Sequence, residues 1–511
     1  MQKPEEQEKS YQQMVKDMRK VFLSGKTRDM QFRKSQLQRL LALVEENYDS
    51  LYDALFKDMR KPLHEAMLTE LMFLKRDIRH TAWNLKKWSR PTKVPMHLTT
   101  GPADSFSVNH DPHGVVLIIA PWNYVHLVLS PLVGAIAAGN CAILKPSEVS
   151  VNCEAVVAEL IPKYLDNDCY KVVTGGPSEI TALLKEKFDY IFYTGSFPIA
   201  QIIHAAANKY LTPVTLELGG KCPVYVDDSV NYHMTAQRIL WGKFTNLGQT
   251  CVAPDYIMCN EQVQTKLVEE FKKVLLEFYG ENMQENTDLA RIINARHWNR
   301  LKMLLKRSKG DVVIGGDLDE YDLWISPTVI VNVEETDSLM EGELFGPLLP
   351  ILNVNSADEA IAFINKRDTP LALYLYTRKS DTVKKFKNLT QSGALDINDC
   401  IYHCSVFEIP FGGKGESGMG RYHGKWSYDT FSYDRAILHR MFDPIGNIHS
   451  MTPRYPPYTQ FKYKLLYNAL KHFDHLYVDP FKAVPYFVVF LAGAILAFCI
   501  MHFKLYEYLG L

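Results

Sequence analysis

From Gly114 onward the chain repeats one unit: a short, unbroken apolar run, a turn, then a segment with helical spacing. The runs are "GVVLIIA" (114–120), "CAILK" (141–145), "KVVTGG" (171–176), "YIFYTGS" (190–196) and "PVTLELGG" (213–220). Between them lie "HLVLSPLVGAIAAGN" (126–140), "CEAVVAELIPKYL" (153–165), "SEITALLKEK" (178–187) and "IAQIIHAAANKY" (199–210). A strand with one wet face alternates apolar and polar residues; these runs do not, so both faces are covered. Doubly buried strands separated by helices predict a parallel sheet in an α/β fold. Such sheets bind ligands beyond the carboxyl ends of their strands. Those ends are "PWN" (121–123), "KPSE" (145–148), "TGG" (174–176) and "TGS" (194–196), the edge of a nucleotide-binding layer.

A second α/β rhythm follows position 251, with a helix over 263–280 and strands at 312–316, 328–333, 348–354 and 371–377. A helix is expected at 358–367, and a chain of 511 residues exceeds what one core organises, so several domains are expected. Residues 10–60 carry helical spacing, broken at Leu23-Ser24-Gly25. Residues 90–112 read as an irregular connection or an edge hairpin, and 405–440, Gly-rich and then aromatic, as an extension from the body.

Charge narrows the function. Lys+Arg number 57 and Asp+Glu 58, which argues against a nucleic-acid partner. Nine scattered cysteines fit reduced thiols better than a disulfide framework. "CIYHC" (400–404) lacks the second Cys/His pair that would complete a zinc site, so no metal is expected. The N-terminus has no apolar signal core. By contrast "AVPYFVVFLAGAILAFCIMHF" (483–503) is uncharged, apolar and long enough to cross a bilayer. Lys462, Lys464, Lys471 and Lys482 precede it and only Lys504 follows, predicting a tail anchor with a cytosolic body. Residues 460–478 mix aromatic, aliphatic and basic residues at helical spacing, as an interfacial or entrance-covering helix would.

Cys251 sits in "NLGQTCVAPDY" (246–256), between Gly248 and Pro254. A structural cysteine belongs among Leu, Val and Ile; a nucleophile needs a bend that presents it. On residues alone, Asn123 is equally a turn residue after Trp122, and Glu217 is equally half of a buried ion pair.

"APWNY", "ILKPSE", "YTGS", "LELGGK", "GQTCVAPDY", "GELFGP" and "PFGGKGESGMGRYHGK" occur in the order and spacing of the aldehyde dehydrogenase superfamily. "KYLTPVTLELGGK" and "GMGRYHGK" are most similar to its class 3 branch, and the anchor resembles that of membrane-bound fatty aldehyde dehydrogenases. The resemblance spans about residues 15–440. It implies an NAD(P)-binding domain (10–90 and 108–216), a catalytic domain (217–404) and an oligomerisation extension (91–107 and 405–440). A linker (441–482) and the transmembrane helix (483–503) would follow.

It also implies roles. Cys251 would attack the aldehyde, Asn123 would hold the developing oxyanion, and Glu217 would serve as base. NAD, or NADP, would lie on Trp122, Lys145, Glu148, Gly195, Ser196, Phe197, Pro198, Ile199, Ala200, Leu218, Glu343 and Phe345. Tyr124, Thr250 and Val252 would line the substrate pocket. The substrate expected is a medium- or long-chain aliphatic aldehyde, the assembly a homodimer, and the membrane that of the endoplasmic reticulum or another organelle. Four residues depart from the family pattern: Val125 after "PWNY", Ala200 for a glycine, Cys222 after "GGK" and Lys414 in "FGGKG". They motivate the competing expectation of an inactive, membrane-tethered scaffold.

Overall fold

The computed structural model describes residues 4–94, 96–97, 105–440, 455–473 and 477–478. Two units are distinguished, Met1–Trp88 with Pro112–Ser432, and Ser89–Asp111 with Tyr433–Leu511.

The first unit holds two parallel sheets. One has six strands in the order Gly418–Met419, Val214–Glu217, Tyr190–Thr194, Val115–Ile119, Cys141–Lys145, Tyr170–Val172. All neighbours are parallel except Gly418–Met419, which runs antiparallel to Val214–Glu217. Chain order reverses beside Val115–Ile119, leaving a crevice beyond the strand ends where a ligand can lie. The expected doubly buried runs are doubly buried: every residue of Val115–Ile119, Cys141–Lys145 and Tyr190–Thr194 is shielded. The helix His126–Ala138 is buried from Leu127 to Ala138, which explains why its sequence shows no polar stripe. It ends at Gly139, whose φ of 99° suits glycine.

The other sheet has seven strands, Asp311–Ile314, Thr328–Val331, Leu348–Asn353, Tyr256–Cys259, Pro223–Val226, Ala372–Tyr376 and Ala394–Ile397. Only the Asp311–Ile314 edge is antiparallel. The helix expected at 263–280 spans Glu261–Tyr279, started by Asn260, whose side chain accepts from the Val263 N–H. That expected at 358–367 spans Ala357–Asn365.

In the second unit, Thr92–Lys93 pairs antiparallel with the strand Ser105–Pro112, as an edge hairpin would, and Ser432–His439 completes a three-stranded sheet. Residues 405–432, read from sequence as part of an extension, group instead with the first unit, because Gly418–Met419 is stitched into its six-stranded sheet. A helix does form over Gln460–Phe473. No helix among the described residues is long and apolar enough to cross a membrane, and the run 483–503 lies outside them.

Candidate active site

Cys251 follows a backbone that L-residues rarely adopt. Asn246, Leu247 and Gly248 have φ of 55°, 50° and 76°, all left-handed. At Gly248 a Cβ would lie 2.3 Å from the Gly346 carbonyl oxygen, so only glycine fits. Strain of about 1–3 kcal/mol per residue persists only where surroundings over-determine it. Here they do. The Asn246 N–H donates to Glu65 Oε1 at 2.6 Å, and Asn246 Nδ2 donates to the carbonyls of Asn123 and Gln249 at 3.2 and 3.0 Å. Gln249, fully buried, donates through Nε2 to the carbonyls of Asn246 and Arg291 and accepts the Ile293 N–H. The turn-prone stretch is therefore a buried, hydrogen-bonded knot, and Cys251 is partly exposed at its exit.

Asn123, 3% exposed, lies beyond the strand Val115–Ile119. Its Nδ2 donates to the Gln249 carbonyl at 3.0 Å. A primary amide carries two N–H donors, so this bond orients the group and leaves the second for a ligand oxygen. The loop is fixed from below by a pair that sequence reasoning missed. Lys61 and Glu70, both fully buried, form a 2.5 Å ion pair. Lys61 Nζ also donates to the Asn123 carbonyl at 3.1 Å, and Glu70 Oε2 accepts the Val125 N–H at 2.6 Å. Val125 is thus held through its backbone, which any residue but proline supplies. Their only sequence signal was a lysine before Pro62 and a glutamate nine positions after that lysine, indistinguishable from solvated charges.

Glu217 closes the strand Val214–Glu217 between Thr194 on one side and Gly418 on the other. It is 1% exposed, and neither carboxylate oxygen has a hydrogen-bond partner among the described residues. Burial pushes its pKa well above the usual carboxylate range. The buried-ion-pair alternative does not hold, since no cation reaches it among the described residues. The Cys251 thiol is pushed up as well, first by burial and then by Glu343, Cys404, Cys222 and Glu217.

Two cavities meet here. One, about 330 Å³, is lined by Trp122, Asn123, Gly195, Ser196, Leu218, Gly219, His297, Arg300, Glu343 and Phe345 among others. The other, about 340 Å³, is largely apolar, with Leu68, Phe73, Tyr124, Trp241, Thr250, Val252 and Tyr402 in its walls. Cys251 and Glu217 line both, with Leu127, Thr194 and Leu218. In the second, Tyr124 Oη and Thr250 Oγ1 share a hydrogen bond of 2.7 Å.

The first cavity's donor set fits a nicotinamide dinucleotide. Glu343 Oε1 and Thr194 Oγ1 are buried without partners among the described residues, as acceptors awaiting a hydroxyl would be. A Cβ at Gly219 would lie 2.4 Å from Glu343 Oε2, so any other residue there would displace that carboxylate. Burial, helped by Asp255, raises the Glu343 carboxyl to about 8. Trp122 lies edge-on to Phe345 at 5.4 Å and beside His297 at 5.1 Å, an aromatic wall to which sequence reasoning did not assign His297 or Arg300.

Other expected cofactor residues lie outside this cavity. Lys145, 1% exposed, ends its strand 3.6 Å from both Glu148 and Glu154. Phe197, Pro198, Ile199 and Ala200 form the first turn of the helix Phe197–Asn208, with Phe197 and Ile199 exposed. Ala200 is 2% exposed and packs into the core, so its methyl group does not line the cavity. Cys222 is fully buried, with its Sγ donating to the Cys251 carbonyl at 3.4 Å. Lys414 Nζ donates to Gln391 Oε1. In "CIYHC", His403 Nδ1 meets Asp396 Oδ2 at 2.7 Å, and no metal-binding cluster occurs among the described residues.

Comparison with known proteins agrees with this geometry. The model of the aldehyde dehydrogenase family matches residues 1–437. The chain is 46% identical over 458 residues to human aldehyde dehydrogenase family 3 member B1, covering 89% of this chain and 97% of that one. It is likewise 46% identical over 444 residues to a rat dimeric, NADP-preferring aldehyde dehydrogenase, covering 87% and 97%. A solved structure of Staphylococcus aureus AldH in a substrate-bound state superposes with a TM-score of 0.86 at 40% identity, covering 89% and 99%.

Proposed function

Because the chain belongs to the aldehyde dehydrogenase family, and is thereby an NAD(P)-dependent enzyme acting on aldehydes, we propose that it oxidises medium- to long-chain aliphatic aldehydes at the cytosolic face of a membrane. The observation that carries the reading is that Cys251 and Glu217 line both cavities, one carrying Glu343, Arg300 and His297 among its walls and the other more extensively apolar. An alkyl chain lies in the apolar cavity with its carbonyl carbon at Cys251 Sγ. Glu217 takes the thiol proton and passes it to solvent, the sulfur attacks that carbon, and the carbonyl oxygen takes the negative charge. The free N–H of Asn123 donates to this oxygen, a group held in place beforehand by Gln249. The chemistry supplied by bound NAD or NADP is acceptance of hydride from the adduct carbon. Loss of hydride leaves a thioester on Cys251, and water then releases the acid and restores the thiol. Glu217 takes the proton of that water. A base with a raised pKa suits proton transfer near neutrality, where an ordinary carboxylate is too weak.

The membrane part of the proposal rests on the apolar run 483–503 and on the exposed Phe461, Tyr463, Leu465 and Tyr467 of the helix Gln460–Phe473. A lipid aldehyde partitions into the bilayer, so a tethered enzyme meets more of it. A homodimer is proposed with it, the similar rat enzyme being named dimeric. The test is turnover of saturated aldehydes from propanal to hexadecanal with NAD and with NADP. kcat/KM is expected to rise with chain length, each buried methylene contributing about 0.8 kcal/mol until the cavity fills. A preference for propanal would overturn the substrate class. Recovery of the full chain in a salt-washed soluble fraction would overturn the anchor. Silent tryptophan fluorescence on adding NAD, together with no turnover, would favour the scaffold.

A further inference from the structure

The apolar cavity holds a second cysteine, one whose sulfur lies beside an imidazole. Cys404 is partly exposed in its wall, on the short helix Tyr402–Ser405. His403 Nε2 lies 3.7 Å from Cys404 Sγ, and His403 Nδ1 lies 2.7 Å from Asp396 Oδ2. The imidazole is 7% exposed and stacks on Phe411 at an interplanar angle of 9°, which fixes its plane. Sulfur, imidazole and carboxylate thus stand in line, the arrangement by which a thiol gives its proton to a base held by a third group.

We propose that Cys404 is a second reactive thiol, activated by His403 and Asp396, that adds to the β-carbon of α,β-unsaturated aldehydes entering the cavity. The inference rests on the activity reading only in supposing that aldehydes enter there. The Sγ–Cβ bond forms as the C=C electron pair moves to the α-carbon. That carbon then takes the proton held by His403, so S–H adds across the double bond and the aldehyde group survives. No oxidant or reductant takes part.

Electrostatics separate the two sulfurs. Burial opposes charge on His403, yet Cys404 and Asp396 outweigh it and raise the imidazole to about 10. The groups facing this pair from neighbouring elements are Tyr374, Tyr422, His423 and Cys251. Burial holds all four neutral at pH 7: both phenols and the Cys251 thiol are pushed up, and His423 is pushed down to about 3. None of them competes for the imidazolium. The Cys251 thiol, pushed up first by burial, makes no hydrogen bond to an imidazole among the described residues.

The experiment treats full-length Cys251→Ala protein with crotonaldehyde and, separately, with iodoacetamide, reduces the adducts and maps the modified peptides over time. Cys404 is expected to react more than about tenfold faster than the buried Cys400 or Cys153 with both reagents. Asp396→Asn should lower the Cys404 rate by about tenfold with both reagents. The comparison with Cys400 and Cys153 needs no change at the pair, so it decides even where that variant fails to fold. A Cys404 rate no faster than theirs would overturn the activation. Labelling by iodoacetamide but not crotonaldehyde would overturn the ligand class. Turnover of a saturated aldehyde by unmodified enzyme reports separately on the activity reading.

Discussion

The two cavities that meet at Cys251 share five wall residues and differ in the polar atoms set among otherwise apolar walls. The side proposed for the dinucleotide offers a fixed polar atom with no partner among the described residues, Glu343 Oε1, backed by an aromatic wall. The aldehyde side offers apolar area, and there Tyr124 and Thr250 satisfy each other. Unpaired acceptors select a ligand by its hydroxyls, since leaving them unmet costs free energy; an apolar surface selects by size alone. One thiol therefore serves a partner recognised strictly and a substrate recognised loosely.

Substitutions grade this contrast. Cys251→Ala, which removes the shared atom, should lower kcat by about 10⁴-fold or more in a dehydrogenase assay; retention of a tenth of the activity would break the division. Glu217→Gln should cost about 10²–10⁴-fold. In the wild type the rate should rise with pH through a limb above the usual carboxylate range, because the base acts deprotonated and burial raises its pKa. A limb near the ordinary value would reassign the base. Glu343→Gln lies on the dinucleotide side only, and should raise KM for NAD(P) by about tenfold while leaving KM for aldehyde nearly unchanged. Trp241→Ala lies on the aldehyde side only. It should move the preferred chain length by a few carbons, a change of about threefold to tenfold in relative kcat/KM, with cofactor KM untouched. If both KM values moved together in either variant, the cavities would be coupled rather than separate.

How far this arrangement was legible depended on whether each contact was local. The six-stranded sheet was readable because apolar runs buried on both faces have a signature within each strand. Cys251 was readable from the glycine and proline around it, but the left-handed backbone at Asn246 and Leu247 was not, as neither residue type announces it. Lys61 and Glu70 act on the Asn123 loop from about 60 residues upstream, and a buried charge is spelt like an exposed one. Ala200 illustrates the converse. The family pattern has a glycine at its position, yet the alanine side chain is buried in the core.

The pairing of Glu217 with Thr194 on one edge and Gly418 on the other has a consequence for timing. A backbone laced on two sides cannot slide or lift, so this carboxylate has no loop motion available to it. Whatever repositioning it needs between sulfur attack and water entry is confined to rotation about its own side-chain bonds, a pivot rather than a gate.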